Sequence, residues 1–127
     1  MDTAPLLDHL ENNDLGTKGI DLFRDNMPST DRVPRGILVT NQTMTKIHPY
    51  VSNYVHGVFE VVAREDTFDK ARETMNNVID VMSSDGGLQL GDMCFLYIRA
   101  LNTPLVYPVS DASLVEGSVL FDFRFTL

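Results

Sequence analysis

Between residues 54 and 83 the spacing of apolar side chains changes from two to three and four, and that switch constrains this chain more than any other feature. Over Tyr54 to Arg64, Phe59, Val61 and Ala63 alternate with Val58, Glu60, Val62 and Arg64, the period of a sheet member with two chemically distinct faces. From Phe68 onward, Ala71, Met75, Val78, Ile79 and Met82 recur three and four residues apart, which predicts an amphipathic helix over about residues 67 to 83. Asp66 is the expected cap with Asp69 at N3, and Ser83 to Gly87 ends the helix because glycine accepts the left-handed cap geometry. A strand with one face to bury, followed at once by a helix with one stripe to bury, demands a helix packed on a sheet.

The rest of the chain supplies the partners. Pro5 and the stripe Leu6, Leu7 and Leu10 predict a short N-terminal helix that stops by Asn12, Asn13 and Gly16. Gly19 to Phe23 reads as a short strand, and residues 24 to 35, with Pro28 and Pro34, read as a loop. The β-branched run Gly36 to Thr40 predicts a buried strand. In Met93 to Ala100, Cys94, Leu96, Ile98 and Ala100 alternate with Met93, Phe95, Tyr97 and Arg99. Residues 101 to 117 read as irregular, with Leu105 to Tyr107 a possible edge strand around prolines. A terminal strand from Ser118 to Leu127 sets Val119, Phe121, Phe123 and Phe125 against Asp122, Arg124 and Thr126. The expected class is α+β, a mainly antiparallel or mixed sheet of four to five strands with two helices on one face, in one domain spanning residues 1–127.

Composition narrows function by exclusion. Eighteen acidic against ten basic side chains give a formal charge of −8, which repels a phosphate backbone. Cys94 is the only cysteine, so no intrachain disulfide or cysteine zinc cluster is expected and a reducing compartment suits the chain. Asp2 and Asp8 stand where a signal peptide needs a basic start, and no apolar run is long enough to span a bilayer. A soluble protein without its own export signal is the expectation.

Catalytic chemistry finds little support. Gly86, Gly87 and Gly91 follow a helix and cannot form a phosphate cradle at a helix start. His9, His48 and His56 lack metal-ligand spacing, and Asp8 and His9, adjacent on a helix, point apart. Cys94 groups with Leu96 and Ile98 and is expected to be a buried, inert thiol. Glu60 and Asp122 are the carboxylates able to face each other across strands, and an enzyme would need them to converge with a histidine. No catalytic residue, metal or cofactor is expected. The sheet face away from the helices carries Glu60, Arg64, Asp122, Arg124 and Arg99 among Val58, Val62, Leu120 and Phe95, and it suits either contact with another subunit or water.

The order of elements and several short runs resemble the minor capsid or tail terminator proteins of tailed bacteriophages. The runs are Leu15-Gly16 after the first helix, Asp21-Leu22-Phe23 leading to Met27-Pro28, Pro34 to Val39, and Val61-Val62-Ala63-Arg64 followed by the helix start at Phe68, Ala71 and Arg72. The resemblance spans nearly the whole chain. It implies a structural virion protein, assembled in the host cell cytoplasm and located in the tail or neck. Six copies would form a homohexamer ring that caps the head-proximal end of the tail tube, stops polymerisation and provides the surface for head-tail joining. The implied partners are the chain itself, the tail tube protein and a head completion or neck protein. Double-stranded DNA would pass through the channel without specific binding, and no membrane is involved. The loop at residues 24 to 35 is long for this pattern. Other readings are a different phage neck component (a head completion or stopper protein) or a small cytoplasmic α+β ligand-binding domain.

Two sets of residues are singled out for assembly. Residues 41 to 53 form an expected loop whose apolar members, Met44, Ile47, Tyr50 and Val51, are what a merely solvated connection would not need. That loop is expected to be an assembly surface docking onto tail tubes. Asp85, Asp92, Asp111 and Glu116, in segments read as loops, are candidates for an acidic channel wall, although carboxylates on an outer rim have the same signature.

Overall fold

A computed structural model of the chain describes residues 1–28, 35–42, 45–109 and 113–127. Its elements are α1 (Ala4–Asn12), β1 (Leu22–Arg24), β2 (Gly36–Asn41), β3 (Lys46–Ile47), β4 (Tyr54–Glu65), α2 (Phe68–Met82), β5 (Leu88–Leu90), β6 (Met93–Ala100), β7 (Leu105–Pro108) and β8 (Val115–Thr126). Two helices and a mixed sheet give the expected α+β class, but the sheet has eight strands, more than four to five.

The spine is the antiparallel pair β4 and β8, in unbroken register from Tyr54 opposite Thr126 to Glu65 opposite Val115. On the far side of β4, β2 pairs with residues 59–64 and β3 with residues 55–56, while β1 lies parallel to β2. On the far side of β8, β6 pairs with residues 121–126 and β7 with residues 115–118, and β5 closes that edge. Between β6 and β7 the ladder is bridged locally. Leu101 N donates to Leu120 O at 2.8 Å. The Asn102 side chain accepts from Leu120 N at 2.9 Å and donates to Ser118 O at 3.4 Å, standing in for a strand neighbour.

Alternation along the spine sends Phe59, Val61, Ala63, Val119, Phe121, Phe123 and Phe125 to one face, where all are buried. Phe59 stacks on Phe121 with ring centroids 5.0 Å apart, and Phe123 on Phe125 at 5.8 Å. Over this face lie Ala71, Met75, Val78 and Met82 of α2 and Leu6, Leu7 and Leu10 of α1, all buried. Gly117 lets α2 approach, because a Cβ there would come within 2.7 Å of Met75 Cγ.

Five local expectations need correction. Thr67, not Asp66, caps α2: its side chain accepts from Lys70 N at 3.1 Å, and Asp66 pairs with Lys70 Nζ at 3.2 Å instead. Phe68, at the first helical position, is exposed rather than part of the stripe, since helical side chains lean back beyond the helix start. The helix ends on an extended Ser83 whose N–H donates to Ile79 O, and Gly87, with φ +74°, shapes the later turn. Strand β8 begins at Val115, inside the stretch expected to be irregular, because Gly117 interrupts the apolar alternation with no side chain. The register shift between Phe95 and Tyr97 breaks the simple alternation of β6. Phe95 and Ile98 therefore both face the core, and Phe95 does not belong to the outer face.

Candidate assembly interface

Alternation leaves Tyr54, His56, Val58, Glu60, Val62 and Arg64 of β4, with Glu116, Ser118, Leu120, Asp122, Arg124 and Thr126 of β8, on the side away from the helices. Their polar groups are extensively paired. Ser118 Oγ donates to Glu60 at 2.8 Å, Tyr97 OH to Asp122 at 3.1 Å, and Arg124 Nη1 to Tyr54 OH at 3.0 Å. Arg64 pairs with Glu116 at 3.4 Å and donates to Pro28 O at 2.9 Å. The Arg99 guanidinium lies 4.3 Å from the Tyr97 ring centroid, a cation–π contact. Such a face interleaves paired polar groups with Val58, Val62 and Leu120.

Glu60 and Asp122 sit diagonally, since Glu60 is opposite Leu120 and Asp122 opposite Val58. They serve different partners, Ser118 and Tyr97. The groove that contains Glu60 is lined by neither Asp122 nor a histidine. The arrangement an acid–base site would need is not assembled at these two residues.

That groove occupies the gap between β6 and β7. It encloses about 510 Å³ and is lined chiefly by Leu101, Asn102, Pro104, Leu105 and Leu120, with Glu60 and Ser118 in its wall. Leu101 and Leu105 are 56% and 63% exposed, so apolar surface stands open to solvent there. Beside it, burial holds the Tyr107 hydroxyl above its ordinary pKa, and the Glu116 and Glu60 carboxylates push it the same way. Sequence reading missed this feature. The apolar residues on either side of Pro104 were its only signal.

Residues 41 to 53 are not a plain loop. Strand β3 pairs with β4, Lys46 opposite His56 and Ile47 opposite Val55. His48 N donates to Tyr54 O at 2.8 Å, and Tyr54 N to Val51 O at 3.0 Å, so residues 46–56 are a hydrogen-bonded hairpin. The Tyr50 N–H donates to His48 Nδ1 at 3.2 Å, and the His48 ring meets Tyr54 edge-on at 5.7 Å. Ile47 is 64% exposed, Tyr50 91%, and Val51 is also exposed, so this tip does not fold back on the core. Leu127 joins it through a bond from its N–H to Asn53 O at 3.0 Å, and it too is exposed. Met44 lies outside the described residues.

The proposed acids separate. Asp85 is exposed in the turn after α2, 3.9 Å from Arg99 Nε, and Asp92 is exposed in the β5–β6 turn. Glu116 is not in a loop but on β8, largely buried and paired with Arg64, so its charge is compensated within the sheet. Asp111 lies outside the described residues.

Cys94 is exposed, contrary to expectation. It sits opposite Thr126 in the ladder, and the β6 register shift separates it from the core-facing Ile98. A thiol reagent should therefore modify the folded protein at a rate close to that of the unfolded chain. Protection by about 100-fold or more, the mark of a site that reacts only after opening, would contradict the exposure.

The fold occurs in a chain of a virion. A chain from the virion of a native gene transfer agent (GTA) particle is 14% identical, with a TM-score of 0.58 covering 83% of this chain and 78% of that chain. A second solved chain, 13% identical with a TM-score of 0.51, covers 100% of this chain and 99% of that one. No protein-family model matches the sequence, and no curated protein matches it. Likeness at this level of identity shows the shared fold. Among the described residues, no helix is long and apolar enough to cross a membrane.

Proposed function

We propose that this chain is a structural protein of a phage-like virion, a tail terminator that closes into a ring on the head-proximal end of the tail tube. The ring stops tube polymerisation and gives the head a surface to join, and the chain itself catalyses nothing. The observation that carries this reading is the fold shared with a chain of the GTA virion particle across most of both chains. Two features of the molecule support it: the hydrogen-bonded hairpin tip with Ile47, Tyr50 and Val51 in solvent, and the open groove beside β7 with Leu101 and Leu105 exposed. Both are surfaces that a solitary globular domain has no reason to keep.

In such a ring the tail tube protein lies on one side and a head completion or neck protein on the other. DNA passes through without sticking, in keeping with a formal charge of −8 per chain. Of the four candidate acids, Asp85 and Asp92 are exposed and open to a channel wall, whereas Glu116 is committed to Arg64. The test uses tubes of the tail tube protein that accompanies this chain. Adding the purified protein should arrest tube growth and leave density at one end of each tube in electron micrographs. Tubes that lengthen unchanged, with bare ends, would overturn the reading.

A further inference from the structure

We propose that the β3–β4 hairpin of one copy seats in the β6–β7 groove of the next, with Ile47 and Tyr50 filling the groove and Lys46 beside Glu60. This inference rests on the ring-forming reading and adds which surfaces meet.

Chemical complementarity is the first ground. The groove sets apolar Leu101, Pro104, Leu105 and Leu120 beside uncharged Asn102, Thr103 and Ser118, and Glu60 is the one charged group in its lining. The hairpin presents Ile47, Tyr50 and Val51 with Lys46 as its one cationic side chain, and no carboxylate occurs anywhere between Gly36 and Phe59. In a chain with eighteen acidic residues, that gap leaves the hairpin the segment least repelled by another copy's acidic surface. Seating it would cover exposed Ile47 and Tyr50 on one copy and exposed Leu101 and Leu105 on the other, with a large aromatic as the central anchor.

Placement in the sheet is the second ground. The hairpin pairs with β4 on its β2 side, whereas the groove is built over Glu60, Ser118 and Leu120 of the β4–β8 pair and against the β6–β7 connection on the other side. Where two copies meet through this contact once, each retains a free hairpin or a free groove, and repetition then yields a closed ring or an open filament. Reciprocal exchange of hairpins between two copies would instead close a two-fold dimer, which linkage ending at two chains would reveal and which would overturn the ring. The hairpin's internal bonds and the Asn102 clamp on β8 hold both patches in shape before contact, which lowers the ordering cost of association.

The test uses the full chain in a Cys94→Ser background, with cysteines introduced by Tyr50→Cys and Leu105→Cys and a short bis-maleimide linker forming a thioether at each end. The expected product is a ladder of linked chains ending at the ring size. The control pair, Tyr50→Cys with Asp80→Cys on the exposed side of α2, should remain unlinked. In the natural sequence, Leu105→Asp should weaken self-association about 30-fold or more, the usual scale for an interface anchor. Rings that form without linkage between positions 50 and 105 would overturn this contact and leave the ring reading standing. So would a ring in which Tyr50→Cys stays open to a maleimide until tail tubes are added, since the hairpin would then be the tube's surface. A natural chain that stays monomeric at every concentration would overturn the ring itself.

Discussion

Val78→Asp should remove a large part of the folded state's stability. Val78 is fully buried at the centre of the α2 stripe, over the face that carries Val119 and Phe121. A carboxylate placed there has apolar neighbours and must either ionise without a partner or stay protonated against its tendency. Several kcal/mol is the usual cost, and about 4 kcal/mol would remove a large part of a typical total of 5 to 15. At about 4 °C per kcal/mol for a chain of this size, the melting temperature falls by about 15 °C. Asn76→Asp, on the exposed side of the same helix, introduces the same group at a solvated position and should leave melting nearly unchanged. Equal melting of both variants and the parent would mean that α2 does not cover the sheet.

The second large effect falls on assembly and spares the fold. Ile47→Asp and Tyr50→Asp together place two carboxylates on a tip that carries none, at positions 64% and 91% exposed. Since these side chains contribute little to the core, unfolding should occur at the parent's denaturant midpoint. Association should nevertheless weaken about 30-fold or more for each, because a central interface anchor contributes about 2 kcal/mol or more. Sedimentation of the double variant would then show free subunits at concentrations where the parent is assembled. Unaltered self-assembly would remove the hairpin from the contact between copies.

Much of the fold was legible because burial on one face imprints a period on a long element. Strands β4 and β8 are twelve residues each and α2 is fifteen, long enough for periods of two and 3.6 to show. Strands β3 and β5, with two and three residues, are too short for any period and exist through pairing with a neighbour. In β6 the register shift changes which residues share a face, and a simple alternation consequently misassigned both Phe95 and Cys94. Gly117 concealed the start of β8 for the opposite reason: it has no side chain because α2 occupies that space.

The surfaces were legible unequally. Ile47, Tyr50 and Val51 could be singled out because apolar residues in a polar connection need a partner, although nothing local revealed that the connection was a paired hairpin. Glu116 was misread because its partner Arg64 is 52 residues away in sequence. The groove was invisible for a similar reason. It arises where β6 and β7 fail to meet along β8, a property of three strands and of no single segment.

The central claim is that this chain forms a ring by itself. Light scattering on the eluting peak of a size-exclusion column, combined with electron micrographs of the same fraction, tests it most directly. The account predicts a discrete assembly with the mass of six chains and annular particles with a central opening. A 14.2 kDa monomer that persists at high concentration, with no annular particles, would contradict it.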